Sequence, residues 1–274
     1  MLRLLVTLYV FIVVTVCDAQ PKTTACAGKD SMHWAPTTLG CLHFNVYKSE
    51  GLTNNPTLVI VLHGDAPFNK PGYQYATAKI IAGQNKNTIA VGMLRPGYTD
   101  PDGNRSAGTR GLTTGDNYTP ENINAIAEVI AYLKKLYHPS KTILAGHSGG
   151  SAITADIIGV QPLLVDDAVI VSCPCNVPQW RDFMSKKQPG YTAWRNAVSS
   201  ISPNTVADKV DKHTKVVIIS GSDDDVAPTQ LSVDYYNQLK KRGIDCKLIQ
   251  IPGEKHEILL HDTVFATIKT LIGH

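Results

Sequence analysis

Lys141-Thr142-Ile143-Leu144-Ala145-Gly146-His147-Ser148-Gly149-Gly150 is the stretch that decides how this chain is read. Residues 141–145 have the pattern of a buried strand, and residues 149–160, rich in Ala and Ile, that of a helix. A Gly-x-Ser-x-Gly pattern alone is weak, because Gly and Ser are common turn residues; the strand-to-helix setting gives it weight. So sharp a turn strains the serine backbone, and a Cβ two residues to either side would collide with the neighbouring strand and helix. The hydroxyl is then exposed at the carboxyl edge of the sheet, where a helix N-terminus favours developing negative charge. Ser148 is the candidate nucleophile.

Outward from this turn, strand and helix patterns alternate. Residues 42–47, 57–62, 88–94, 167–172, 215–220 and 246–251 read as strands, residues 57–62 being continuously apolar as in a strand covered on both faces. Residues 73–82, 119–136, 228–241 and 257–272 read as helices, the second starting at Thr119 with Pro120 in its first turn. Residues 173–211 read as irregular. This order predicts an α/β fold, a mainly parallel central sheet with helices on both faces. No internal repeat or linker interrupts it, so residues 20–274 are expected to form a single catalytic domain.

Composition is that of an ordinary globular chain. Hydrophobic residues make up 43% and charged residues 18% of 274, and the formal charge is only +3. With no long basic run, no nucleic-acid partner is expected. Residues 1–19 read as a signal peptide: Arg3, an apolar run, then small residues at Cys17 and Ala19 before Gln20. The run is shorter than the ~20 residues of a membrane-spanning helix, so export to the periplasm or the exterior is expected, with no stable membrane partner after cleavage. Lipoprotein anchoring at Cys17 is the weaker reading, because Val16 precedes it. In an oxidising compartment Cys26 and Cys41 are expected to form a disulfide. Cys173 and Cys175 lack a second Cys/His pair of suitable spacing and read as buried or partly paired thiols, not a metal site; no metal is expected.

A serine hydroxyl needs a base. His256 follows the last strand in Pro252-Gly253-Glu254-Lys255-His256, at the same edge as Ser148, with His261, read as inside the last helix, as the fallback. The orienting acid should follow the strand at 215–220, in Gly221-Ser222-Asp223-Asp224-Asp225; spacing favours Asp224, with Asp223 and Asp225 as alternatives. An oxyanion needs two backbone donors. Gly149 N–H is one, and Asp65 N–H, before Ala66, is the first choice for the other. The Asp65 carboxylate should then turn away, towards Arg95 or Arg110. His147, Tyr98 and Trp180 are candidate substrate-binding residues, with Trp194 and Met184 as further candidates for an apolar acyl site.

His63-Gly64-Asp65, Arg95-Pro96-Gly97-Tyr98, the Ser148 turn, Gly221 to Pro228 and Gly253 to His256 together resemble the α/β-hydrolase superfamily. The approach from Ser202-Pro203 to Val210 is similar to the prolyl-oligopeptidase and dienelactone-hydrolase branches, here expected without a propeller domain. The chain order Ser148, Asp224, His256 is the one that resemblance implies. The expectation is a secreted serine hydrolase that cleaves carboxylic esters through an acyl-enzyme and needs no cofactor. A serine peptidase and a non-catalytic binding protein are the alternatives, and the partner is a small ester or peptide.

Overall fold

The computed structural model describes residues 26–273; the expected signal peptide lies outside the described residues. Eight strands form one sheet: β1 (Trp34–Thr37), β2 (Gly40–Lys48), β3 (Thr57–Leu62), β4 (Thr88–Met93), β5 (Lys141–His147), β6 (Asp167–Val171), β7 (Lys215–Gly221) and β8 (Cys246–Ile251). Their order is β1-β2-β4-β3-β5-β6-β7-β8. β1 and β2 pair antiparallel and β2 meets β4 antiparallel; every other pairing is parallel. The sheet is thus mainly parallel, as the alternating pattern requires.

Among the described residues, seven α-helices cover it: α1 (Tyr73–Gln84), α2 (Pro120–Tyr137), α3 (Gly149–Val160), α4 (Val177–Lys187), α5 (Pro203–Val206), α6 (Thr229–Lys241) and α7 (Asp262–Ile272). β3 explains the layering. All six of its residues are buried, and successive side chains point to opposite faces. Leu58, Ile60 and Leu62 join a core with residues of α2, α3 and α6, such as Ile126, Ile153 and Tyr235. Val59 and Val61 join a second core with residues of α1 and α7, such as Ile81 and Ile268. Each such side chain contributes roughly 1.5–3 kcal/mol by leaving water, so neither face tolerates a polar run. No helix among the described residues is long and apolar enough to cross a membrane.

Three local readings are corrected. Residues 173–211 are not wholly irregular: Asn176 accepts a hydrogen bond from Gln179 N and, with Pro178 in the first turn, starts α4. The last helix begins at Asp262, not 257, because His261 caps it with Nδ1 on Thr263 N–H. Cys173 and Cys175 are bonded to one another, Cα atoms 5.1 Å apart. Cys26 and Cys41 form a second disulfide, Cα atoms 5.7 Å apart, and Cys246 is a buried free thiol whose pKa burial raises to about 12.

Candidate active site

Parallel pairing delivers the carboxyl ends of β3, β5, β7 and β8 to one edge of the sheet. Leu62 lies opposite Gly146 and Gly221 opposite Ile251, so the residues that follow these strands converge. At the end of β5, Ser148 adopts φ 52° and ψ −121°, a left-handed backbone that costs a serine about 1–3 kcal/mol. The turn closes only with glycine on both sides: a Cβ on Gly146 would strike the Gly150 carbonyl, and one on Gly150 would fall 2.5 Å from the His63 carbonyl oxygen.

His256 Nε2 lies 2.9 Å from Ser148 Oγ, and its Nδ1 lies 2.9 Å from Asp224 Oδ2. All three residues are buried. Asp224 Oδ1 also accepts from the N–H groups of Val226 (2.9 Å) and Ala227 (2.8 Å), which fix the carboxylate. Asp223 is only partly engaged, accepting from Ser222 Oγ at 2.8 Å, and exposed Asp225 pairs with Lys187. Of the three consecutive acids, only Asp224 meets the imidazole. An imidazole so held presents Nδ1–H to the carboxylate and a free Nε2 lone pair to the hydroxyl. His261 is committed to its helix cap.

His147 takes on a structural part besides the cleft-lining one expected. Its ring lines the cleft, but the protein engages both of its nitrogens. Gly64 N–H donates to the Tyr73 oxygen, so the Tyr73 hydroxyl donates onward to His147 Nδ1, 3.0 Å away. His147 Nε2–H then donates to the His256 carbonyl at 3.0 Å, a carbonyl that also accepts from Ser172 Oγ at 2.8 Å. Burial, then the neighbouring His256, lowers the His147 pKa to about 4, so the ring is neutral above that pH. This chain of bonds ties the loop after β3 to the backbone of His256. Tyr73 and Ser172 carry no sequence signal for the role, since only tertiary folding brings them here. His147, His256 and Glu257 place possible ligand atoms within 4.8 Å of one another, but the imidazole nitrogens are committed to these hydrogen bonds.

The loop after β3 is held from below. Asp65 Oδ1 lies 2.9 Å from Arg95 Nη1, and Oδ2 accepts from Tyr118 OH (2.7 Å) and Gly115 N–H (2.8 Å). Of the two arginines considered, Arg95 takes this carboxylate. Its guanidinium is fully buried between the rings of Tyr98 and Tyr118, 5.3 and 5.6 Å from their centroids. Tyr98 therefore does not line the cleft. Its ring packs edge-on against His63, and its hydroxyl, raised to about 12 by burial, sits by the Ala66 backbone. The turn at Gly97 carries it beneath the loop. Among the described residues, the N–H groups of Gly149 and Asp65 have no hydrogen-bond partner.

A cleft of about 690 Å³ opens over Ser148. One wall is Trp180, Met184, Tyr191 and Trp194, brought there by α4 and the short turn after it. Trp180 and Trp194 meet edge to face, centroids 5.6 Å apart. Their indole N–H groups are spent on Val226 O (2.7 Å) and Gln188 Oε1 (2.8 Å), leaving an apolar surface to the cleft. Phe68, 79% exposed, also lines the cleft.

The prolyl oligopeptidase family model matches residues 110–271, more than half of the chain and all of the segment from Ser148 to His256. No curated protein matches significantly in sequence. Several solved structures share the fold. An acylaminoacyl peptidase from Pyrococcus horikoshii aligns at 14% identity with a TM-score of 0.61 over 85% of this chain, which spans 39% of that protein's length. Esterase PE8 aligns at 18% identity and TM-score 0.60, covering 84% of this chain and 98% of its own. Est1E from Butyrivibrio proteoclasticus, solved with ferulic acid bound, aligns at 20% identity and TM-score 0.61, covering 84% and 94%. The chain belongs to the prolyl oligopeptidase family of serine hydrolases and has the α/β-hydrolase fold.

Proposed function

We propose that this chain is a secreted hydrolase of carboxylic esters whose acyl group rests on the Trp180–Trp194 wall. The observation that carries the reading is the unbroken set of contacts from Asp224 through His256 to Ser148 Oγ, beside the unpartnered N–H groups of Gly149 and Asp65. His256 Nε2 takes the Ser148 proton as Oγ bonds to the ester carbonyl carbon. The carbonyl oxygen becomes an oxyanion held by Gly149 and Asp65 N–H; removing one such donor typically costs about 10²–10³-fold in rate. The intermediate collapses, and the alkoxide leaves with the proton from His256. Water then gives a proton to His256 and attacks the acyl carbon. Ser148 recovers that proton and the acid departs. Asp224 stabilises the imidazolium in both halves. These steps need only the chain's own residues.

Secretion is supported by the leader-like residues 1–19 and by two disulfides, which persist in oxidising compartments. Family membership favours a second reading, a serine peptidase. The experiment is hydrolysis of p-nitrophenyl butyrate against aminoacyl p-nitroanilides by the native protein and by Ser148→Ala. Ester turnover that disappears in the variant, with amides cut far more slowly, is the expected result; faster amide cleavage would install the peptidase instead.

A further inference from the structure

We propose that a basic depression beside the cleft is a subsite for an anionic group on the alcohol half of the ester. It is about 310 Å³ and is lined by Phe68, Asn69, Lys70, Gly97, Arg105 and Arg110 among others, with three cations and no carboxylate side chain. Phe68, Asn69 and Lys70 line both this depression and the catalytic cleft, so the two meet across one short loop.

Two observations separate this cluster from scattered surface charge. Arg105 Nη1 donates to Gly97 O at 3.2 Å, and Arg110 Nη1 donates to Ala66 O at 3.3 Å. Each guanidinium is thereby pinned to backbone by one nitrogen while other N–H donors remain to be used. Arginine's planar fork suits a carboxylate, sulfate or phosphate, and pinning it lowers the entropy lost on binding. Moreover, none of Lys70, Arg105 and Arg110 forms an ion pair among the described residues. Of the acids in the surrounding loops, Asp65 is engaged with Arg95 and Tyr118, Asp100 with Tyr75 and Asn104, and Asp116 with Thr113 N–H, while Asp102 is exposed and pairs with none of the three cations.

The assignment to the alcohol half rests on the reading above. With the acyl group on the Trp180–Trp194 wall, the alcohol half is left the loop that carries Phe68 and Lys70, which lines both the cleft and the basic depression. The ligand is one negative charge carried by the alcohol half.

The test compares kcat/KM for 4-carboxybenzyl butyrate with that for benzyl butyrate. The native protein is expected to favour the anionic ester about tenfold at 50 mM salt, since each exposed pair supplies only a modest factor. That preference should shrink to about threefold or less at 500 mM salt, where the Debye length is short. In K70Q/R105Q the ratio should approach one, with an unchanged melting temperature reporting that the protein is folded. A ratio near one in the native protein, or a preference that survives salt and the double variant, overturns the proposal. Ser148→Ala separates this from failure of the ester reading: its calorimetric affinity for the two esters reports the subsite without turnover, and equal affinities also overturn it.

Discussion

The His147 ring donates Nε2–H to the backbone carbonyl of His256, 3.0 Å away, so the residue beside the nucleophile fixes the base from behind. His147→Phe removes this bond and the one from Tyr73. The base is expected to lose alignment, lowering kcat by about 10–100-fold, the scale of an ångström-sized misplacement, with KM within about twofold. Tyr73→Phe should act in the same direction by leaving Gly64 N–H without its acceptor. Steady-state kinetics with a short p-nitrophenyl ester check both. A fall in thermal stability with kcat unchanged would show that the chain of bonds only supports the fold.

The same ring gives a pH dependence of stability. The unfolded chain protonates His147 as pH falls through about 6.5, whereas the folded ring resists until about 4. Its contribution is therefore fully present above pH 6.5 and is lost as pH falls towards 4. Thermal unfolding between pH 7 and 4.5 should show a shallower decline in His147→Phe than in the native protein. Parallel curves would refute the assignment.

Asp156 in α3 is fully buried, and both of its carboxyl oxygens lack a partner among the described residues. Burial raises its pKa well above the ordinary carboxylate value. The sign is opposite to that of His147: the native protein loses stability as pH rises from the unfolded carboxyl pKa towards the folded one. Asp156→Asn cannot ionise, so it should lose less stability than the native protein as pH rises from 4 to 7, and the two proteins should differ least near pH 4. Chemical denaturation at both pH values measures it.

The Cys26–Cys41 bridge closes a 15-residue separation. Replacing both cysteines with serine should cost roughly 3 kcal/mol. Chemical denaturation of C26S/C41S against the native protein measures the loss.

Local pattern carries the layers of the fold, because residues 58–62 and 89–93 carry no polar side chain and their length suits strands covered on both faces. It also locates the Ser148 turn, whose glycines are demanded within five residues of chain. It favours Asp224 over Asp223 and Asp225 by spacing alone: the three are chemically equal, and the bend that follows β7 is what turns Asp224 inward to the Val226 and Ala227 amides. Tyr98 misleads for a related reason. It leaves a strand at the catalytic edge, yet the turn at Gly97 tucks it under the Arg95–Asp65 pair. Tyr73 lies nine residues from Gly64 along the chain and reads merely as the start of a helix; its contact with His147 belongs to the packed structure alone. The helix α4 announces itself in Asn176 and Pro178, a start signal too short to stand out among irregular residues.

The most direct measurement is the site and rate of labelling by a fluorophosphonate, read by mass spectrometry of the intact protein and its peptides. One adduct is expected, on Ser148 and absent in Ser148→Ala. Asp224→Asn should slow labelling by about 10³–10⁴-fold, as loss of the orienting acid does elsewhere, while Asp223→Asn and Asp225→Asn should label at the native rate. No adduct, an adduct on another serine, or equal rates in Asp224→Asn and the native protein would contradict the Ser148–His256–Asp224 site.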